Sequence, residues 1–283
     1  MNPKISVIIP FFNAEKTLPR AMESILIQEG VDWELILVND GSRDNSEELV
    51  KSFLFDSRIF YFKQKNKGVC AARNLGSFKA KGDWLIFLDS DDEIEKSLFN
   101  ILADSISQDY EVLLWGFHWV FPNGNSKSLI RNDDKYIPIL SGTFAIKRDV
   151  FHTAGRYDEN LKFGENTELF HRIMLAGLSV KKLPIIGMTY YDSSTGGSKN
   201  LQNSIDSNLA ILKKHEKTLS KHTKHLYHQV IGVNQLRFRR FKEARNHLWT
   251  AYILKPFKIS TLIRFLISLF PIIATRLYSE TVK

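Results

Sequence analysis

One cysteine, Cys70, is all that the 283 residues contain. An intramolecular disulfide framework and any multi-cysteine metal site are therefore excluded, and such sparing use fits the reducing cytoplasm. No uncharged apolar run reaches the ~18 residues that a membrane span requires. The nearest approach, 259–278, is interrupted by Arg264, Pro271 and Arg276. The start, 1–12, lacks a basic region leading into a long apolar core, so no secretory leader is expected. Internal repeats and low-complexity tracts are missing too. With 43% hydrophobic and 25% charged residues the chain has a globular composition, which excludes disorder as its main state. Lys plus Arg number 39 against 31 Asp plus Glu, and the formal charge of +8 suits anionic partners: nucleotides, nucleic acid or an acidic membrane face.

The first hundred residues alternate between two periods. Apolar runs at 5–12, 33–38, 58–62 and 84–88 read as buried strands. Between them, 15–28, 45–54 and 68–79 have helical spacing, with Asp44 a plausible cap for the second helix. Strand-helix alternation with short links predicts an α/β fold with a mostly parallel sheet covered on both faces. In such sheets ligands bind beyond the carboxyl ends of the strands, here 10–13, 39–42, 63–68 and 89–92. Farther on, 112–121, 136–147 and 180–191 read as strands, 149–154 and 167–176 as helices, and 193–198 as a flexible loop. Beyond about residue 200 the chain reads as helical and basic. The expected division is a domain over 1–200 and a helical, amphipathic extension over 201–283.

Three strand ends carry chemistry. The apolar strand 85–88 runs into Asp89-Ser90-Asp91-Asp92. Close carboxylates repel and raise one another's pKa unless a cation is present, and hard oxygens suit Mg²⁺ or Mn²⁺ bound together with substrate phosphates. An isolated Asp-x-Asp is more often an acidic turn; the strand context reverses that preference. In Asn39-Asp40-Gly41-Ser42, Asp40 is placed to accept hydrogen bonds from a base or ribose, although the tetrapeptide also favours a plain turn. In Asn66-Lys67-Gly68, Gly68 opens a helix whose amino end suits an anion, with Lys67 and Arg73 candidates to face a diphosphate. Cys70 reads as a small buried filler.

These segments, with Ser6-Val7-Ile8-Ile9-Pro10-Phe11-Phe12-Asn13 and Ala72-Arg73-Asn74, occur in the order seen in family 2 glycosyltransferases, which the chain resembles from its start to about residue 95. A looser match continues through Ser141-Gly142-Thr143 and Gly155-Arg156-Tyr157-Asp158 to 164–169, and fades near 200. The resemblance implies a GT-A fold, Rossmann-like, with a C-terminal helical extension. It also implies inverting transfer of a sugar from a nucleotide-diphosphate sugar, UDP by default, to an acceptor hydroxyl in surface polysaccharide, lipopolysaccharide or glycolipid synthesis. Pro10, Phe12, Asn13 and Asp40 would bind the nucleoside, and Lys67 and Arg73 would lie near the nucleotide. Asp89, Ser90 and Asp91 would hold the ribose and metal side, with Asp91 the direct ligand of Mn²⁺ or Mg²⁺ and Asp89 beside it.

Two features depart from the family pattern. The family usually places a Glu-Asp pair before the helix that carries the base, with Asp as base. Here the pair is Glu165-Asn166, and an amide cannot take a proton at neutral pH. Glu165 and then Glu168 are the remaining candidates, or else a cap and a partner for Arg172. Many relatives also carry a His downstream; 190–198 has none, and Asp192, a water, or a loop hinged at Gly196 and Gly197 would stand in. His215, His222, His225, His228 and His247 sit among Lys and Arg and read as a solvated basic face rather than a metal site. Nucleic acid is not expected without a reading motif. The segment 259–278 either packs back on the chain or lies on an anionic membrane, which would place the enzyme peripherally at the cytoplasmic face. A nucleotidyltransferase and a catalytically silent nucleotide- or glycan-binding protein are the competing readings.

Overall fold

The computed structural model describes residues 4–132, 137–193 and 199–279. The alternation expected of the first hundred residues is present: β1 (Ile5–Phe11), α1 (Leu18–Leu26), β2 (Trp33–Asn39), α2 (Ser46–Lys51), β3 (Ile59–Lys63), α3 (Val69–Lys79) and β4 (Trp84–Phe87). Every residue of β1, β2 and β4 is buried, which is why these strands read as continuous apolar runs. Ile5, Val7 and Ile9 face one layer with Leu18, Met22 and Ile25 of α1; Ile8, Ile36 and Val38 face the other with Cys70 and Ala72 of α3. The small residues of α3 have a steric cause, since a Cβ on Gly76 would stand 2.4 Å from Ile8 Cγ2.

There follow β5 (Glu93–Ile94), α4 (Leu98–Ile106), β6 (Val112–Val120), β7 (Ser126–Leu129), β8 (Phe144–Lys147), α5 (Arg148–Thr153), α6 (Glu165–Leu175) and β9 (Val180–Tyr191). The nine-stranded sheet has the order β3-β2-β1-β4-β8-β6-β9-β5, with β7 on β6. The expectation of a mostly parallel sheet needs correction. Strands β1 to β4 pair in parallel, but β4–β8, β6–β8, β6–β7 and β5–β9 are antiparallel, so the sheet is mixed. The strand expected over 136–147 is in fact only β8, because Thr143 and Leu140 close a turn just before it. Two antiparallel steps bring β6 back parallel to β4, and β9 runs parallel to β6. The carboxyl ends of β1, β2, β3, β4, β6 and β9 therefore all open on one edge.

The chain groups into two compact units, Met1–Glu159 with Glu165–Ser194, and Asn160–Gly164 with Thr195–Lys283. The second contains α7 (Leu201–Lys214), α8 (Lys221–Arg237), α9 (Phe241–Leu254), α10 (Ile259–Ser268) and α11 (Pro271–Leu277). Its core joins Leu236, Ala244, Leu248 and Ala274. The histidines correct the expected solvated face. His225 is buried with Nδ1 2.8 Å from the Ala251 carbonyl, His215 is buried, and His228 and His247 share a hydrogen bond between their Nδ1 atoms at 2.9 Å. Helix α8 is sandwiched between α7 and α9, so its histidines cannot all face water.

Candidate active site

The β2 end is organised by one carboxylate. Asp40, 5% exposed, accepts hydrogen bonds at Oδ1 from Gln64 Nε2 (2.8 Å) and the Lys67 amide (2.8 Å), and at Oδ2 from the Gly68 amide (2.9 Å). It thereby holds the β3–α3 loop against β2. A carboxylate offers about four lone-pair directions, so these bonds leave one for a ligand. Gly68 opens α3 at φ 92°, a conformation only glycine takes cheaply. The β1 end is tied alongside. Asn13, at φ 51°, donates its amide to Ser42 Oγ (3.0 Å) and accepts the Arg43 amide at Oδ1 (2.8 Å). Pro10 is buried in β1, while Phe12 is 46% exposed at its tip and Lys67 is exposed on the next loop. Pro10, Phe12, Asn13, Asp40 and Lys67 thus line adjoining strand ends.

Asp89, Ser90 and Asp91 are half-buried past the end of β4. Burial, and then the negative charge of Asp89, pushes the Asp91 carboxyl up to about 6. Asp92 is buried, accepts the Tyr191 amide at 3.0 Å, and is raised well above the usual carboxylate range by burial and its two neighbours. It latches the β4 loop to β9. Two of the three carboxylates here therefore hold their protons more readily than usual. Among the described residues no three His, Cys, Asp or Glu side chains form a cage for a metal ion. Asp91 and Asp89 nevertheless fit Mg²⁺ or Mn²⁺ of the kind that takes one or two carboxylates and completes its shell with water and donor phosphates.

Arg73 is not where its candidacy for the diphosphate would put it. Residues 70–74 of α3 are packed beneath the edge, and Arg73 is 2% exposed. Its Nη2 donates to Asp89 Oδ1 (2.5 Å) and its Nη1 to Glu165 Oε1 (2.9 Å), with the guanidinium carbon 5.2 Å from the centre of the Tyr157 ring. Two carboxylates that are remote in sequence are therefore gripped by one buried cation.

The two base candidates differ in surroundings. Glu165 begins α6 and is partly exposed. Glu168 is fully buried, with both oxygens bonded by Arg172, whose Nη1 also reaches the Ala154 carbonyl and whose Nη2 is shared between Glu168 and the Arg156 carbonyl. That places Glu168 in the fabric of the 154–156 turn, the Arg172 partnership that the spacing allowed. Asn166 is buried and accepts the Tyr157 hydroxyl at 2.8 Å. Cys70 is buried, and burial pushes its thiol up to about 12, consistent with a filler. The Gly196-Gly197 hinge lies outside the described residues, as does Tyr136.

Sequence reasoning missed Arg20. Its guanidinium donates to the Asp91 carbonyl, lies 2.9 Å from Glu93 Oε1 and stacks 3.6 Å from the centre of the Tyr191 ring. Nothing local in α1 marks it. Tyr157 and Gln64 were missed as well, because each matters only through a partner distant in sequence.

Residues 6–162, more than half of the chain, match the family model for glycosyl transferase family 2. The chain belongs to that family. It is 41% identical over 107 residues to glycosyltransferase GlyA of Streptococcus pneumoniae, covering 38% of this chain and 15% of that protein. It is 37% identical over 145 residues to an uncharacterised glycosyltransferase of Haemophilus influenzae, covering 50% of this chain and 58% of the other. The chain therefore spans only part of the length of these relatives. Crystal structures of S. aureus TarS 1–349 share the fold. The complex with UDP-GlcNAc has a TM-score of 0.59 at 18% identity, covering 94% of this chain and 79% of that one. The complex with UDP has a TM-score of 0.61 at 21% identity, covering 95% and 82%. At such identity the likeness is one of fold, the GT-A type.

Proposed function

We propose that this protein transfers a sugar from a nucleotide-diphosphate sugar, a UDP-sugar first, to an acceptor hydroxyl on a surface polysaccharide, lipopolysaccharide or glycolipid precursor, with inversion. The observation that carries this is the Arg73 grip on Asp89 and Glu165, which holds one donor-side carboxylate and the base candidate on one guanidinium. The UDP-GlcNAc and UDP complexes of TarS support the choice of donor.

In this mechanism Asp40 and the β1 tip orient the nucleoside, and Asp89 takes the ribose side. Asp91, with Asp89, would hold a Mn²⁺ or Mg²⁺ ion, whose charge would stabilise negative charge gathering on the departing diphosphate. Glu165, held through Oε1 by Arg73, takes the acceptor's proton as the acceptor oxygen bonds to the anomeric carbon. The bond from that carbon to the phosphate oxygen breaks on the opposite face, and the nucleoside diphosphate leaves with the electron pair. Arg73 is then a positioning residue, and Glu168 and Asn166 serve the structure around it.

The test is a panel of nucleotide sugars offered to the full chain with Mn²⁺, Mg²⁺ or EDTA, with products separated by chromatography. Metal-dependent release of UDP, lost in Asp91→Ala, supports the proposal. Release of pyrophosphate would make the protein a nucleotidyltransferase. Donor binding with no turnover on any acceptor, even after Asn166→Asp, would make it a silent binding protein, the reading that Asn166 favours.

A further inference from the structure

Helix α10 is inside out. Its fully buried residues are Thr261 and Ser268, both 0% exposed, with Thr261 Oγ1 accepting Gln229 Nε2 at 2.8 Å and Ser268 Oγ donating to the Phe265 carbonyl. Phe265 and Ile267 are the helix's apolar contacts with the Leu236, Ala244, Leu248 and Ala274 core, and the Phe265 ring lies tilted with its centre 5.1 Å from that of Trp249. The opposite face carries Ile259, Ile263 and Leu266, at intervals of four and three, and Phe270 follows just past the helix end; all four are exposed. A helix that served only to cover a core would turn those residues inward. Flanking segments continue the pattern: Phe257 is 95% exposed and Ile272 of α11 is 73% exposed. Patches of contiguous exposed apolar surface mark interaction sites.

The charge around this face selects the partner. From 244 to 279 there is no Asp or Glu, while Arg245, Lys255, Lys258, Arg264 and Arg276 lie in the same stretch. Residues 195–283 hold 16 Lys or Arg against 4 Asp or Glu, and 1–194 hold 23 against 27, so the positive balance of the chain resides wholly in its last third. A protein partner of matching shape needs no such one-signed field; an anionic lipid leaflet rewards both the apolar face and the cations. Helices α10 and α11 meet at 119°, and among the described residues no single helix is long and apolar enough to cross a membrane. A bent, one-faced pair suits lying in the interface.

We infer that α10 and α11 form a membrane-surface anchor, with Ile259, Ile263, Leu266, Phe270 and Ile272 entering the headgroup–acyl boundary and Lys255, Lys258 and Arg276 on acidic headgroups. The anchor does not depend on the sugar-transfer chemistry, and its test needs no turnover. The full chain is sedimented with vesicles of phosphatidylcholine alone or mixed with phosphatidylglycerol, at low and high salt. Binding to the mixed vesicles that weakens with salt is expected. Replacing Ile263 and Ile272 by Glu lowers the partition coefficient at least about tenfold. Lys255→Gln with Lys258→Gln lowers it about fivefold per cation. All four side chains are exposed, so the variants keep the circular dichroism of the parent. Three results would overturn the anchor: no vesicle binding, binding indifferent to both pairs of substitutions, or a concentration-dependent dimer abolished by the Ile263 and Ile272 replacements, which would make the face a contact between copies.

Discussion

At the scale of single residues, the two glutamates of α6 make opposite forecasts. Glu168 is fully buried against Arg172, and removing one member of a buried pair leaves the other charge uncompensated. Glu168→Gln is expected to cost about 3 kcal/mol of stability, read as a lower urea midpoint, while the protein that remains folded keeps its kcat. Glu165→Gln leaves the buried Arg73 with Asp89 as its remaining carboxylate, so it should lower the urea midpoint less than Glu168→Gln does, yet lower kcat by a factor of about 10² to 10⁴ with little change in KM. Equal kcat losses in both variants would place the base elsewhere. Asp91 supplies a pH forecast. Its carboxyl titrates near 6, and a proton and a divalent ion compete for the same oxygens. The enhancement of UDP binding by Mn²⁺, measured by calorimetry, should hold above pH 7 and fall below about pH 6, approaching tenfold per unit. An enhancement constant from pH 7.5 to 5 would remove Asp91 as the ligand.

At the scale of elements, the loop that opens α3 can be tested through Gly68. Open space surrounds a Cβ built there, so any cost of Gly68→Ala comes from φ at 92° and not from a clash. Holding Ala at φ 92° and ψ 163°, a region essentially reserved for glycine, costs roughly 1–3 kcal/mol. Relaxation would pull the Lys67 and Gly68 amides off Asp40, so UDP affinity in a titration should fall about tenfold while α3 stays intact. Unchanged affinity would mean that Asp40 does not depend on those two bonds. This loop also marks what a sequence can disclose. Strands β1 to β4 and the Asp40, Gly68 and Asp89–Asp91 ends were legible because buried parallel strands are apolar on both faces, and their ends bear polar residues of unmistakable type. The mixed half was not, since β8 joins β4 and β6 through pairings that leave no local period. Arg73 and Arg20 were misread or missed for a similar reason. A basic residue looks alike in sequence whether it faces solvent or is itself buried between two carboxylates.

At the scale of the whole molecule, the two compact units should respond to acid in opposite directions. In the helical unit His228 is lowered to about 4 by burial and then by His247, so the folded form resists a proton that the unfolded chain accepts below about 6.5. Stability from this group is complete above pH 6.5 and is lost as pH falls toward 4, amounting to about 2 kcal/mol at pH 5. In the sheet unit Asp91 has the reverse sign. Its folded pKa is raised, so the folded form takes a proton before the unfolded chain does, and acidification from pH 7 to 5 returns about 1 kcal/mol. Asp92, raised for the same reasons, adds to that gain. Urea unfolding of the full chain should therefore show transitions that separate as pH drops from 7 to 5, the helical one moving to lower urea. Trp249 is the single tryptophan of that unit, so a variant with the other four replaced by Phe reports it directly. His228→Gln should remove most of the acid sensitivity of the Trp249 signal. If that signal and the far-ultraviolet dichroism moved together at every pH, the two units would be unfolding as one and the opposed titrations would cancel.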